Sequence, residues 1–204
     1  SILNSCGGGH EMQKQKIIRL ATSDDSASIL KIYAPYVTNT AITFEYKVPT
    51  IIEFQERMAK IQKYYPWLVC AIDNEIVGYA YASPFGEREA YKWAVEFSVY
   101  IDPEYHRKHI GKALYFALIE SLKLQGFYNA YALVALPNIN SESFHEAFGF
   151  KTMGICRNVG YKLGSWHDVK WYELKMQEHI QSPLKPKSIN EVSNTKEFKA
   201  ILKK

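Results

Sequence analysis

The stretch Val99-Tyr100-Ile101-Asp102-Pro103-Glu104-Tyr105-His106-Arg107-Lys108-His109-Ile110-Gly111-Lys112-Ala113-Leu114 turns a strand into a helix through a basic loop. Upstream of it, Trp93, Val95, Phe97, Val99 and Ile101 alternate strictly with Ala94, Glu96, Ser98 and Tyr100. That period of two predicts a strand over Lys92 to Ile101. Downstream, Ile110, Ala113, Leu114, Ala117, Leu118 and Leu122 recur at helical spacing from a start near His109, and Gly126 sits where a helix C-cap belongs. A helix that opens just after a strand presents unpaired N–H groups and a partial positive charge, which suits a pyrophosphate. Gly111 permits close backbone approach, and Arg107, Lys108 and Lys112 bring compensating charge. The same segment, taken alone, also fits a solvated helix start.

Working outward, Ile17 to Leu20 reads as a first strand. Ser23-Asp24-Asp25 then signals a helix carrying Ile29, Leu30, Tyr33 and Val37 on one face, with Pro35 expected to kink or end it. Thr43 to Tyr46 reads as extended. Pro49-Thr50 opens a second helix with Ile51, Phe54, Met58 and Ile61 on one face. Trp67 to Ile72 and Ile76 to Ala82 form a hairpin through Asp73-Asn74-Glu75. Tyr128 to Leu136 is a strand, Asn140 to Phe148 a short helix closed by Gly149, and strands over about Lys151 to Lys162 and Val169 to Met176 complete the pattern. Helices interleaved with hairpins imply an α/β (α+β) single domain, its sheet mixed but largely antiparallel. The expected organisation is a disordered or extraneous segment over 1–14, a domain over 15–178 and a basic C-terminal extension over 179–204.

Composition narrows the partners. At 204 residues, 47% hydrophobic and 23% charged, the chain is long enough to bury a real core. Its formal charge of +4 is carried entirely by Ser182 to Lys204, with six Lys and two Glu. A near-neutral body argues against a nucleic-acid footprint, and a short basic tail reads as solvated and mobile. Cys6, Cys70 and Cys156 show no paired or metal-type spacing, and Cys70 and Cys156 read as reduced core residues. No apolar run approaches the ~20 residues that span a bilayer, and no secretory leader opens the chain. The expectation is a cytoplasmic protein with no metal, no membrane and no nucleic-acid partner.

Glu96 is the lone acid in an otherwise apolar strand, just before the basic loop. Partial burial would raise its pKa toward the range of a general base; a carboxylate satisfied by Arg or Lys on a half-exposed face is the alternative. His167-Asp168 looks like a fragment of a metal site or triad. No nucleophile motif or third ligand of suitable spacing accompanies it, so the pair reads as shaping a pocket or an edge between copies.

Several separated motifs carry a resemblance. The loop ending in Gly111 resembles the acetyl-CoA motif of the GNAT N-acetyltransferase superfamily, Gln/Arg-x-x-Gly-x-Gly/Ala. His106 stands where Gln or Arg is usual and His109 where the first glycine is. Asn138, Ser141 and His145-Glu146-Ala147-Phe148-Gly149-Phe150 continue the family pattern, with His145 where many members place Tyr. Leu136-Pro137-Asn138, Gly164-Ser165-Trp166-His167-Asp168-Val169 and the early run Asn39, Thr40, Thr43, Phe44, Glu45 are similar to the phosphinothricin acetyltransferase group. The resemblance covers roughly Ile17 to Met176.

It implies a sheet flanked by helices and splayed between its fourth and fifth strands, with acetyl-CoA as co-substrate in the opening. Cofactor contacts are implied at Phe97, Ser98, Val99, Tyr100, Ile101, His106, Arg107, Lys108, His109, Ile110, Gly111, Lys112, Ala113, Asn138, Ser141 and His145. It also implies Glu96 as base, directly or through water, and His145 as acid toward the thiolate or as a cofactor contact. Phe44, Arg88, Tyr91, Trp93 and His167 fall at the acceptor pocket, with Arg88 placed to hold a carboxylate or phosphinate. A small amino-acid-like amine acceptor and a homodimer follow by resemblance. Acetylation of peptide N-termini or other amines, and a non-catalytic acyl-CoA-binding module, remain open.

Overall fold

A computed structural model of the chain describes residues 15–106 and 108–204. Cys6, the Gly7 to Gly9 run and Arg107 lie outside the described residues. Seven strands form one sheet: β1 (Lys16–Leu20), β2 (Trp67–Ile72), β3 (Glu75–Pro84), β4 (Ala94–Ile101), β5 (Asn129–Ala135), β6 (Lys151–Lys162) and β7 (Ser165–Lys175). Their order is β1-β2-β3-β4-β5-β7-β6. Among the described residues β4 and β5 make the one parallel pair, and all other neighbours are antiparallel. This is the expected mixed, mostly antiparallel α/β architecture.

The β2–β3 hairpin follows from its two turn residues. Asp73 and Asn74 adopt φ of 50° and 67°, and Asn and Asp tolerate the left-handed region that a two-residue hairpin turn requires at both positions. The alternation in β4 places Val95, Phe97, Val99 and Ile101 on the face covered by α3 (Ile110–Gln125). Tyr100 lies on the opposite face, in the cluster built with α1 (Ser26–Asn39) and α2 (Ile51–Gln62). Gly126, at φ 99°, ends α3 in the left-handed conformation that glycine adopts without a Cβ penalty.

Several details depart from expectation. Pro35 does not end α1, which runs on to Asn39 with Tyr36 and Val37 buried beyond the proline. Only Phe54 and Met58 of the α2 face are buried; Ile51, in the first turn, is exposed. Residues 43–46, read as extended, join no strand of the sheet, and bends fall at Thr43 and Tyr46. The last strand begins at Ser165, four residues early, because Lys162 pairs with Ser165 across a tight turn. Cys70 is buried, which pushes its thiol up to about 11, whereas Cys156 is exposed on the edge strand β6 and is not a core residue. Among the described residues no helix is long and apolar enough to cross a membrane.

The C-terminal extension is not a solvated tail. Ile189, Val192 and Phe198 are buried against Leu20, Leu124 and Leu202, on α5 (Ile189–Val192) and α6 (Lys196–Leu202). Backbone bonds Lys187 N to Gln125 O (2.8 Å) and Ile189 N to Tyr64 O (2.9 Å) dock it. The Gln125 amide also donates to Tyr64 O (3.0 Å) and Lys187 O (2.9 Å). Its lysines supply the charge while its apolar residues face α3 and β1. Phe198→Ala should therefore cost about 3 kcal/mol, lowering the melting temperature by roughly 2–4 °C per kcal/mol, as thermal denaturation would record; a solvated tail would leave the midpoint unchanged.

Candidate active site

The parallel pairing of β4 with β5 covers only Ala94–Asn129, Val95–Ala130 and Glu96–Tyr131. Both strands continue beyond that point, β4 to Ile101 and β5 to Ala135, but apart. The Asp102 N–H turns toward β3, donating to Val77 O at 2.8 Å. With the β3–β4 register unbroken, the alternation of strand amides aims those of Phe97, Val99 and Ile101 at the side β5 has left. The cleft so opened has an inner lobe of about 320 Å³ and an outer lobe of about 800 Å³. Ile42, Val99, Tyr100, Asn138 and Ser141 line both.

The outer lobe lies at the start of α3 and is lined by His106, His109, Ile110, Gly111 and Lys112. The first intrahelical bond runs from Ala113 N to His109 O (3.1 Å), so the N–H groups of Ile110, Gly111 and Lys112 precede it and point out of the helix. His109 holds φ 59° and ψ 21°, the left-handed conformation the usual glycine would adopt freely. Gly111 serves packing: a Cβ there would stand 3.3 Å from Cζ of Phe144, on α4 (Ile139–Ala147). The Tyr36 hydroxyl donates to Ile101 O, and His106 Nε2 lies 3.2 Å from it. With its proton so committed, Tyr36 accepts from the His106 Nε2–H. Lys108 Nζ stands 5.5 Å from the Tyr105 ring centre. Ala113 is on α3 but not on the cleft wall.

The inner lobe is lined by Glu96, Phe97, Ser98, Tyr115 and His145, with Phe44 above and Leu133 to Ala135 opposite. Burial raises the Glu96 carboxyl above the usual carboxylate range, and among the described residues no ion pair offsets that cost. His145 is 3% exposed. Its Nδ1 donates to Ser141 O (2.8 Å), so its Nε2 accepts from the Tyr115 hydroxyl, also at 2.8 Å. Burial lowers the His145 pKa and keeps the ring neutral; burial likewise holds the Tyr115 phenol well above its usual range. Asn138 caps α4, its Oδ1 accepting from Ser141 N at 3.2 Å.

Not every expected acceptor residue reaches the cleft. Phe44 does. Arg88, Tyr91, Trp93 and His167 are absent from the wall of either lobe. Arg88 caps a short turn of helix over Glu89–Tyr91, and the Tyr91 ring packs on Phe85 at 5.4 Å. Trp93 precedes β4, and its indole N–H donates to Leu184 O in the extension (2.8 Å). His167 stands behind Phe44, ring centres 6.3 Å apart, with Nε2 3.0 Å from Lys162 O. Asp168 belongs to no dyad: it accepts from Arg157 Nη1 (3.0 Å) and Asn158 N (2.7 Å), pinning the β6 bulge. Tyr115 and Tyr36 were not singled out from the sequence. The available signal for Tyr115 was a tyrosine placed next to Leu114 on the buried face of an amphipathic helix.

Comparison with known proteins accords with this geometry. Residues 18–171 match the acetyltransferase (GNAT) domain family. The chain is 35% identical over 176 residues to a phosphinothricin N-acetyltransferase of Streptomyces viridochromogenes, covering 86% of this chain and 94% of that protein. It is 30% identical over 171 residues to an L-methionine sulfoximine/L-methionine sulfone acetyltransferase of Pseudomonas aeruginosa, covering 81% and 98%. A GNAT superfamily phosphinothricin acetyltransferase from Sinorhizobium meliloti, solved in complex with AcCoA, superposes with a TM-score of 0.80 at 33% identity, covering 85% of this chain and 94% of that one. The chain belongs to the GNAT acetyltransferase family.

Proposed function

We propose that the protein transfers acetyl from acetyl-CoA to the amine of a small amino-acid-like acceptor of the phosphinothricin, methionine sulfoximine or methionine sulfone type. The observation that carries this reading is Glu96: a half-buried carboxylate with no cation beside it among the described residues, at the point where β4 and β5 part. Relatives active on such acceptors span nearly their whole length in the alignment.

The N-terminus of α3 with Lys108 and Lys112 receives the pyrophosphate. The β4 amides of Val99 and Ile101 pair with the pantetheine arm, and one of them polarises the thioester carbonyl as charge develops on it. Asn138 and Ser141 wall the opposite side. Glu96 takes the proton of the acceptor ammonium, directly or through a water, so that the free amine attacks the carbonyl carbon. As the tetrahedral adduct collapses, the C–S bond breaks, the CoA thiolate leaves without needing a strong acid, and the second proton of the attacking nitrogen passes to solvent or to that sulfur. The Tyr115 phenol gives its one proton to His145 Nε2, so it walls the inner lobe beside the thiolate rather than donating to it, and the neutral His145 holds the ring in place.

Since burial raises the Glu96 pKa, the base is lost as pH falls through a value above the usual carboxylate range, and kcat/KM declines on that acid side. Stability runs the other way: the folded state binds the Glu96 proton more tightly, so unfolding free energy falls as pH rises through the same window. Glu96→Gln should cut acetyl transfer by about 10²–10⁴-fold, leave acetyl-CoA affinity unchanged and leave the alkaline-side melting temperature equal or higher. Thiol release with phosphinothricin, methionine sulfoximine and methionine sulfone, against polyamines and short peptides, checks both the acceptor class and the variant. Turnover of peptides alone would overturn the acceptor, and full activity in the variant would overturn the base.

A homodimer is the second part of the proposal. The edge strand β6 exposes Met153, Ile155, Val159 and Tyr161, and Trp166 on β7 is exposed beside them. An unpaired edge with this much apolar surface suits a second copy. Sedimentation equilibrium should return twice the 23.5 kDa chain mass, and Ile155→Asp with Val159→Asp should return the single mass; a monomeric parent would contradict it.

A further inference from the structure

We infer that Gly160 and Lys162, both on β6, are positioning residues for the acceptor side of the reaction, because together they fix Phe44 over the inner lobe. The inference rests on reading that lobe as the acceptor's. Neither residue lines the cleft, and they act through residues 40–46, the first part of the connection from α1 to α2.

Those residues form a strap across the parted sheet. On one side, the Tyr33 hydroxyl of α1 meets Thr43 Oγ1 (2.8 Å) and donates to Glu45 Oε1 (2.5 Å). Arg57 of α2 grips the same carboxylate with both guanidinium nitrogens, at 2.5 and 2.8 Å. These helices rest on the half of the sheet that ends with β4. On the other side, Lys162 Nζ donates to Thr43 O (2.8 Å) and the Tyr46 hydroxyl donates to Tyr161 O. β6 belongs to the half that begins with β5. Phe44 sits between the two sets of anchors, one residue after the carbonyl that Lys162 holds.

The seat under Phe44 is the Gly160 backbone. A Cβ there would lie 2.2, 2.5 and 2.7 Å from three ring carbons, closer than packed atoms approach, so any larger residue must displace the ring. Lys162 is 4% exposed, and among the described residues no carboxylate lies within ion-pair distance of it. A buried ammonium is costly unless hydrogen-bonded. Thr43 O supplies that bond, and Glu45 favours the charge from farther off. The arrangement spends a buried charge on holding one backbone carbonyl, at the residue preceding the side chain that roofs the lobe.

The test is a kinetic cycle with a structural arm. Gly160→Ala should raise the acceptor KM at least 10-fold while the acetyl-CoA KM changes less than 2-fold. In a Phe44→Leu background, where the smaller side chain leaves room for the methyl, the same Gly160→Ala change should cost less than 3-fold. Lys162→Met, which keeps length and apolar volume but removes the donor, should raise the acceptor KM in the same selective way. Equal effects on both KM values, or additive effects in the cycle, would reduce both residues to general supports of the fold and overturn the inference. Amide hydrogen exchange supplies the arm that needs no acceptor: both single variants should speed exchange over residues 40–46 and leave β1 and α2 unchanged. Should the parent acetylate no small amine, the acceptor reading fails and exchange alone decides the strap; unaltered exchange over 40–46 overturns it.

Discussion

The structure depends on one unmade set of hydrogen bonds. Beyond Glu96 and Tyr131, β4 and β5 stop pairing although both strands continue. A buried backbone N–H or C=O without a partner is costly, so a sheet that parts must offer those groups to something else. Ile101 O is met by the Tyr36 hydroxyl. The amides of Phe97, Val99 and Ile101 face the opening, where an extended, amide-bearing ligand could complete the pairing that β5 abandons. The start of α3 at one end and Glu96 at the other follow from the same divergence, since each flanks the stretch of β4 that has lost its neighbour.

Much of the fold was legible because it rests on local periodicity. The alternation from Trp93 to Ile101, the helical spacing from Ile110 to Leu122 and Gly126 at the C-cap each encode one element without reference to the rest of the chain. Glu96 stood out as a candidate for a similar local reason, as the lone acid of that strand. What was not legible is the set of contacts that bring distant residues together. Tyr115 and His145 lie thirty positions apart in sequence and form one hydrogen-bonded pair. No local signal links them, and so the sequence leaves His145 open as an acid or a cofactor contact, while the fold adds that Ser141 O and the Tyr115 hydroxyl engage its two nitrogens.

The C-terminal extension misled in the opposite direction. Its six lysines dominate any reading by composition, yet three apolar side chains among them decide its structure by burying against α3 and β1. The acceptor residues expected around Arg88 show a related limit. The resemblance assigned Trp93 to the acceptor side, and no local pattern announced that its indole N–H would bond Leu184 O of that extension. The strap over residues 40–46 was legible only as Phe44 and Glu45. That Lys162 and Gly160, more than a hundred residues later, determine where Phe44 rests is a property of the closed fold.

Every proposed step rests on acetyl-CoA binding along the unpaired face of β4. Titrating the full chain with acetyl-CoA while following backbone amide resonances tests it most directly. The largest shifts are expected at Val99 and Ile101 and in the first turn of α3 from Ile110 to Lys112, with β1 and β6 unmoved. Saturable binding that leaves those amides unperturbed, or that moves the β6 edge instead, would contradict it.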